Sequence, residues 1–240
     1  MCIRPGAIIR EEKESQDRER RKETLNKARN NIIRLIASNQ DMTTFITLTF
    51  KDGQDYKSSK KLLNNLFNKL RRDYKNLKYL WVLEYGSKNN RLHYHLLCNI
   101  PIEVKTAKTK EKKSQDHKQL EKEFCRKYWK HGFVDIRNLA EEGNTNVGLY
   151  ISTYIVKSLE NTDMEGFRVY GYSNKTLEKP VETKYFTHCT IEEILSQYKD
   201  NYNFRYANNY KIGYADFKGV HEGNVCYFHL ELKEGLENEN

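Results

Sequence analysis

The sequence predicts an α+β protein. Short β-branched and aromatic segments, two of them spaced as a hairpin, occur together with separate amphipathic helical segments. The helical segments carry their apolar residues on one face, as helices packed on a sheet do. A chain of 240 residues is long enough for one large domain, or for one domain with a modest extension.

The composition is basic, with a formal net charge of +9, which favours an anionic partner such as nucleic acid. Five cysteines are scattered without a CxxC pair, as in a reduced, cytoplasmic protein. No apolar run approaches the roughly 20 residues of a membrane span, and no signal-peptide pattern is visible, so we expect neither membrane insertion nor secretion. The Walker-type phosphate loop is also absent, which indicates that the chain has no NTPase motor of its own.

The N-terminal residues 1–40 are predicted to form a charged and helical extension. Charged residues dominate positions 9–24, and a helical stripe follows. One interpretation is a solvated helix that leads into a docked helix, and the other is a basic arm that contacts DNA. The apolar residues of the stripe are Leu25, Ala28, Ile32, Leu35 and Ile36.

Residues 44–50 are β-branched and aromatic, which predicts a strand. Thr47 and Thr49 share one face of this strand, and the alternate apolar side chains share the other face. An amphipathic helix is predicted next, at residues 63–74.

A predicted hairpin carries two histidines. Residues 80–84 form its first strand, residues 86–90 form its loop, and His93 and His95 lie on its second strand. Since side chains i and i+2 of a strand point to the same face, the two imidazoles lie side by side, within reach of Glu84. Two imidazoles and one carboxylate suit a divalent ion. Paired histidines on a strand are also common as plain surface or hydrogen-bonded residues.

Two tyrosines fall on a predicted helix near residues 147–155. Tyr150 and Tyr154 are four residues apart and share one face, with a rise of roughly 6 Å between them. They are either core aromatics packed on the sheet or a reactive pair. Lys157 is out of place in a dry core and suits a phosphate or a developing tyrosinate. Beside a metal that polarises a phosphodiester, such a tyrosine can act as a nucleophile.

The other predicted elements follow the same patterns of periodicity and turn residues. They are an exposed charged insertion at 103–123, a helix containing Leu120 and Phe124, a strand at 133–136, an irregular polar segment at 161–184, a helix at 191–198, and strands near 210–217 and 225–232.

Three segments, in this order, carry a family resemblance: Phe45-Ile-Thr-Leu-Thr-Phe50, Glu84-Tyr-Gly followed by Arg91-Leu-His-Tyr-His-Leu97, and Tyr150-Ile-Ser-Thr-Tyr154-Ile-Val-Lys157. The sequence resembles the HUH (His-hydrophobic-His) endonucleases that initiate rolling-circle replication, and among them the phage- and plasmid-type replication-associated proteins. Tyr170-Gly-Tyr-Ser173-Asn also resembles a short Ser-containing element of phage-type members.

The resemblance implies an RRM-like or ferredoxin-like fold. Its sheet would be mainly antiparallel with about five strands, with helices on one face and the metal site on the other side or edge. Residues 41–184 would form the endonuclease domain. Residues 185–240 would then be a C-terminal α+β extension packed on the same domain.

The resemblance further implies a nicking enzyme for single-stranded origin DNA. Such an enzyme stays joined to the 5′ phosphate through tyrosine and leaves a 3′ hydroxyl that primes synthesis. Mg²⁺ or Mn²⁺ would be held by Glu84, His93 and His95. A host or separate helicase and a polymerase would act with it in the bacterial cytoplasm. The implied DNA contacts are Thr47, Thr49, Arg91, Ser173 and Asn174.

The resemblance also ranks the two tyrosines. Two-tyrosine relatives usually carry a lysine three residues after each tyrosine. Here Thr153 follows Tyr150, whereas Lys157 follows Tyr154. Tyr154 is therefore predicted to be the first nucleophile, with Lys157 as its cationic neighbour. Tyr150 is either a second nucleophile for termination or a packed neighbour.

Two other function classes stay open on the sequence. One is an HUH transposase or relaxase, which shares the chemistry but serves another process. The other is a non-catalytic RRM-like module, in which the histidines and tyrosines stack on nucleic-acid bases.

Overall fold

The computed structural model describes residues 24, 26–86, 91–108, 111–140, 150, 151, 153, 154, 167–217 and 219–233. These residues divide into two compact units. Asn31–Pro180 form the first unit, and the described residues within Met1–Asn30 and Val181–Asn240 form the second. The predicted domain division, with residues 185–240 packed on the endonuclease domain, stays a prediction.

A five-stranded sheet is the centre of the first unit. Its strands are β1 (Thr44–Phe50), β2 (Tyr79–Tyr85), β3 (Leu92–Cys98), β4 (Gly132–Asn138) and β5 (Tyr170–Tyr172). They lie in the order β4-β1-β3-β2-β5, and every neighbouring pair is antiparallel. The expected α+β fold and its antiparallel sheet are thereby confirmed.

The helices agree with the predicted amphipathic segments. They are α1 (residues 26–37), α2 (Tyr56–Asp73), α3 (Gln115–Lys127), α4 (helical at 150, 151, 153 and 154) and α5 (Ile191–Tyr198). The side chain of Asp55 caps α2 by accepting a hydrogen bond from the Ser58 amide at 2.9 Å. Ser114 caps α3 in the same way. Within the described ranges, no helix is both long and apolar enough to cross a membrane.

Helices α2 and α3 cover one face of the sheet, and their apolar residues form a core with it. Leu63, Leu66 and Leu70 of α2 are almost completely buried there. Tyr94 of β3 points into this core, and its hydroxyl lies 2.9 Å from that of Ser59. The histidines on either side of Tyr94 therefore belong to the opposite face of the sheet.

Strand β5 corrects the expectation that residues 161–184 are irregular. It is three residues long and pairs with β2 at the edge of the sheet. Such a short Tyr-Gly-Tyr strand has no periodicity to reveal it, because pairing with a neighbour and not local preference makes it a strand.

The second unit contains a long antiparallel hairpin of β6 (Tyr202–Asp216) and β7 (Gly219–Leu232). These strands begin earlier than predicted, and they form a sheet of their own. Residues of α1 contact one face of the hairpin. Arg29 lies over the Tyr206 ring at 4.7 Å, and the Asn208 amide donates to Asn26 Oδ1 at 2.9 Å.

Candidate metal and tyrosine site

The register of the central strands gathers the predicted metal ligands on the sheet face opposite α2 and α3. In the β2–β3 pair, Glu84 lies opposite His93. In the β1–β3 pair, Thr47 lies opposite His95 and Thr49 lies opposite His93. Directly paired residues of neighbouring strands present their side chains on the same face, about 5 Å apart. All five side chains therefore belong to one polar patch on the sheet.

Glu84 and His95 are in direct contact within this patch. His95 Nε2 lies 2.7 Å from Glu84 Oε2, and their side chains are only 8% and 16% exposed. Burial, followed by the neighbouring His95, lowers the pKa of His93, and Glu84 opposes this only in part. His93 is therefore mostly neutral near pH 7, which is the form of an imidazole that binds a metal.

The donor set suits a divalent cation in its chemistry, since it combines two imidazoles with a carboxylate. The side chains have not converged into a finished set of ligands. In the described part of the chain, no three His, Cys, Asp or Glu side chains are grouped so that they could hold an ion. The assignment of Glu84, His93 and His95 as metal ligands therefore stays a prediction.

Gly86 borders the outer nitrogen of His93. A Cβ atom added to Gly86 would lie 2.6 Å from His93 Nε2, which is closer than such atoms can approach. The Gly86 amide also donates to the Arg91 carbonyl at 2.8 Å, which fixes the backbone at this point. The absence of a side chain at position 86 therefore leaves the His93 nitrogen its space.

Gly86→Ala is expected to displace the His93 ring and to weaken Mn²⁺ binding by about 10-fold or more, as loss of ligand orientation typically does. Isothermal titration with Mn²⁺ measures the effect. Gly53→Ala is the matched control, because a Cβ there meets nothing within 4 Å. Equal Mn²⁺ affinity in the two variants would contradict a ligand role for His93 Nε2.

The predicted tyrosines lie against the same patch. The rings of Tyr154 and His95 have their centroids 4.0 Å apart, and the hydroxyls of Tyr150 and Tyr154 are 2.8 Å apart. Phe45 of β1 contacts all three rings, with centroids 5.5–5.8 Å away. The helical spacing of the tyrosines thus brings both onto the sheet beside a candidate metal ligand.

The surroundings of Tyr154 keep its hydroxyl protonated. Burial raises the pKa of Tyr154 well above its usual range, and the hydrogen bond with Tyr150 and the nearby Glu84 carboxylate add to this. Arg137 of β4 acts in the opposite direction, as a cation near the phenol. Lys157, the cation predicted for this role, lies outside the described residues.

Arg137 is held in place by an acidic neighbour on the same strand. Its Nε donates to Asp135 Oδ2 at 2.7 Å, and Lys113 also contacts Asp135. Burial opposes ionisation of Asp135, yet hydrogen bonds from Arg137 and Lys113 hold its pKa below the usual range. The register places Arg137 opposite Phe45, and so on the face that carries the tyrosines.

Comparison with known proteins agrees with this arrangement. Residues 43–159 match the family described as Replication-associated protein ORF2. This segment belongs to that family of replication-associated proteins. It contains the Thr-rich strand, the histidine motif and the tyrosine helix. The inferred relationship to rolling-circle replication initiators is thereby confirmed.

A curated relative supports the same conclusion. The chain is 30% identical over 146 residues to the phasyl DNA replicon protein arp of Escherichia coli. The match covers 55% of this chain and 50% of the relative, so the chain spans about half the length of that protein. No solved structure matches the chain.

The predicted DNA contacts of this replication-associated protein differ in their surroundings. Arg91 and Asn174 are exposed. Ser173 is buried, and its hydroxyl accepts hydrogen bonds from the Tyr79 amide and from Thr176. Thr47 and Thr49 contact the histidine rings. All five DNA-binding roles stay predictions.

Sequence reasoning did not single out Phe45 or Arg137. The two-residue period of β1 already places Phe45 on the face of Thr47, so the signal for Phe45 was present. Arg137 carried no such signal, because its position depends on the pairing of β4 with β1.

Proposed function

We propose that this chain initiates DNA replication by nicking one DNA strand through tyrosine attack on a phosphodiester. The observation that carries the proposal is the Tyr154 ring, which lies 4.0 Å from His95 on the face that also holds Glu84. A nucleophile beside a candidate metal ligand is the arrangement that such a reaction requires. The replication-associated family of residues 43–159 supports the same reading.

In this proposal the Tyr154 oxygen forms a bond to phosphorus, and the bond from phosphorus to the 3′ oxygen breaks. The phenol loses its proton, and the departing 3′ oxygen gains one and becomes a hydroxyl. Arg137 supplies positive charge near the attacking oxygen. Glu84, His93 and His95 would hold Mg²⁺ or Mn²⁺, which acts as a Lewis acid on the phosphate when bound.

The substrate class is single-stranded DNA at an origin, and the basic net charge of +9 suits it. We assign unwinding and synthesis to a separate helicase and a polymerase in the bacterial cytoplasm. A transposase or relaxase would use the same chemistry on other DNA.

A non-catalytic binding module is the second candidate, and one observation favours it. The hydroxyls of Tyr150 and Tyr154 bond to each other, and both rings pack on buried Phe45, as aromatics with a purely structural role do.

Metal removal separates these functions. The protein is incubated with a random-sequence library of single-stranded DNA labelled at the 3′ end, with Mn²⁺ or with EDTA, and run on a denaturing gel. We expect a labelled covalent adduct with Mn²⁺ and a loss of at least about 100-fold with EDTA, because a metal site contributes several kcal/mol to charge stabilisation. A library that binds without any adduct would contradict nicking and favour the binding module.

A further inference from the structure

Two threonine hydroxyls lie directly behind the histidine rings. Thr47 Oγ1 is 3.2 Å from His95 Nδ1, and Thr49 Oγ1 is 3.1 Å from His93 Nδ1. Each threonine is paired in register with the histidine that it touches. We propose that Thr47 and Thr49 are positioning residues, which hold both imidazoles by Nδ1 and keep both Nε2 atoms for a divalent cation. The inference rests on the proposed metal-dependent function and extends it to residues behind the ligands.

The inner nitrogen of each ring determines what the outer nitrogen can do. An imidazole has two nitrogens, and the hydrogen bond at one of them sets the tautomer and the orientation of the other. With Nδ1 held by threonine, the outer nitrogen of His95 faces Glu84, and that of His93 faces the space beside Gly86. Both outer nitrogens thus lie away from β1 and beside the carboxylate strand.

Threonine is well suited to this position because its side chain is stiff. Branching at Cβ restricts χ1, so a threonine in a strand holds its hydroxyl with little loss of conformational entropy. Thr47 and Thr49 are both half-buried in the centre of β1, between β3 and β4. The hydroxyls are therefore fixed by the sheet itself.

A hydroxyl also serves both states of His95, since it can donate and accept. Without metal, the Glu84 carboxylate accepts the Nε2 proton of His95, and Thr47 donates to Nδ1. When a cation takes the Nε2 lone pair, the ring carries its proton on Nδ1, and Thr47 accepts that proton instead. A carboxylate or a carbonyl behind the ring would satisfy only the second state.

Two measurements test the proposal, and the first needs no metal. ¹⁵N-histidine NMR of the metal-free protein at pH 8 reports the tautomer of each ring. We expect His95 to be protonated at Nε2 in the native protein, and to move to Nδ1 when Mg²⁺ is added. In Thr47→Val, which keeps the branched shape, we expect loss of the single tautomer, whereas Thr47→Ser restores it.

The second measurement is the dissociation constant of Mn²⁺ by titration calorimetry. Thr47→Val and Thr49→Val are each expected to weaken binding about 10- to 100-fold, as loss of such an outer partner does. The serine variants should recover most of the affinity. Thr43→Val is the matched control, since it removes a hydroxyl just before β1 and outside the polar patch.

The outcomes are distinguishable. Valine variants with native tautomers and native Mn²⁺ affinity would overturn the inference, and a selective loss of affinity for single-stranded DNA would assign these threonines to DNA binding instead. If the native protein binds no Mn²⁺ at all, the metal-dependent function fails. The metal-free tautomers would still decide whether the threonines orient the rings.

Discussion

Tyr154→Phe is expected to abolish the covalent protein–DNA adduct, with a loss of at least about 1,000-fold, because it removes the attacking oxygen. The phenylalanine ring keeps the packing on His95 and Phe45, which have their ring centroids 4.0 and 5.8 Å from that of Tyr154. The loss would therefore report on the hydroxyl and not on the fold. Quantifying the adduct on a denaturing gel, with the thermal midpoint of each variant, measures both.

Tyr150→Phe is the matched control for this prediction. It removes the other hydroxyl of the pair, which is 2.8 Å from that of Tyr154, and leaves the proposed nucleophile in place. We expect the adduct to form at a level within about threefold of the native protein, the scale of one neutral hydrogen bond. The reverse pattern would contradict the assignment, and so would loss of the adduct only in the double variant.

Gly132→Ala is expected to destabilise the protein by about 3 kcal/mol, the upper end of the cost of overpacking. Gly132 begins β4 opposite Phe50, and an added Cβ would collide with the Thr49 carbonyl and with the Lys51 amide. These backbone atoms cannot yield easily. The Lys51 amide donates to the His131 carbonyl at 2.8 Å, and the Trp129 indole donates to the Thr49 carbonyl at 3.2 Å.

Urea unfolding followed by tryptophan fluorescence measures this effect, because Trp129 is completely buried beside the altered strand end. Gly53→Ala again serves as the control and should change the free energy of unfolding by less than about 0.5 kcal/mol, as exposed substitutions usually do. A Gly132→Ala variant as stable as the Gly53→Ala control would show that β1 and β4 are not packed this closely.

Local rules were sufficient for the arrangement of the histidine patch. The two-residue period of a strand puts His93 and His95 on one face, and a short hairpin loop puts Glu84 beside them. Helical spacing likewise placed Tyr150 and Tyr154 together on one side of α4. Each of these statements depends on residues that are near one another in the sequence.

The rest depended on contacts between distant segments. The stacking of Tyr154 on His95 follows from how α4 docks on the sheet, which no local pattern determines. Arg137 reaches this face because β4 pairs with β1, and β5 is a strand only because β2 pairs with it. The C-terminal strands were recognised by composition, but their pairing with each other, apart from the central sheet, was not.

Mapping the covalent bond tests the central claim most directly. The adduct formed with Mn²⁺ and single-stranded DNA is digested with protease and nuclease, and the modified peptide is sequenced by tandem mass spectrometry. We predict a phosphonucleotide on Tyr154, joined through its 5′ phosphate, so that a 3′ label but not a 5′ label stays with the protein. A phosphonucleotide on a residue away from the histidine face, or a bond to the 3′ end of the DNA, would contradict the account.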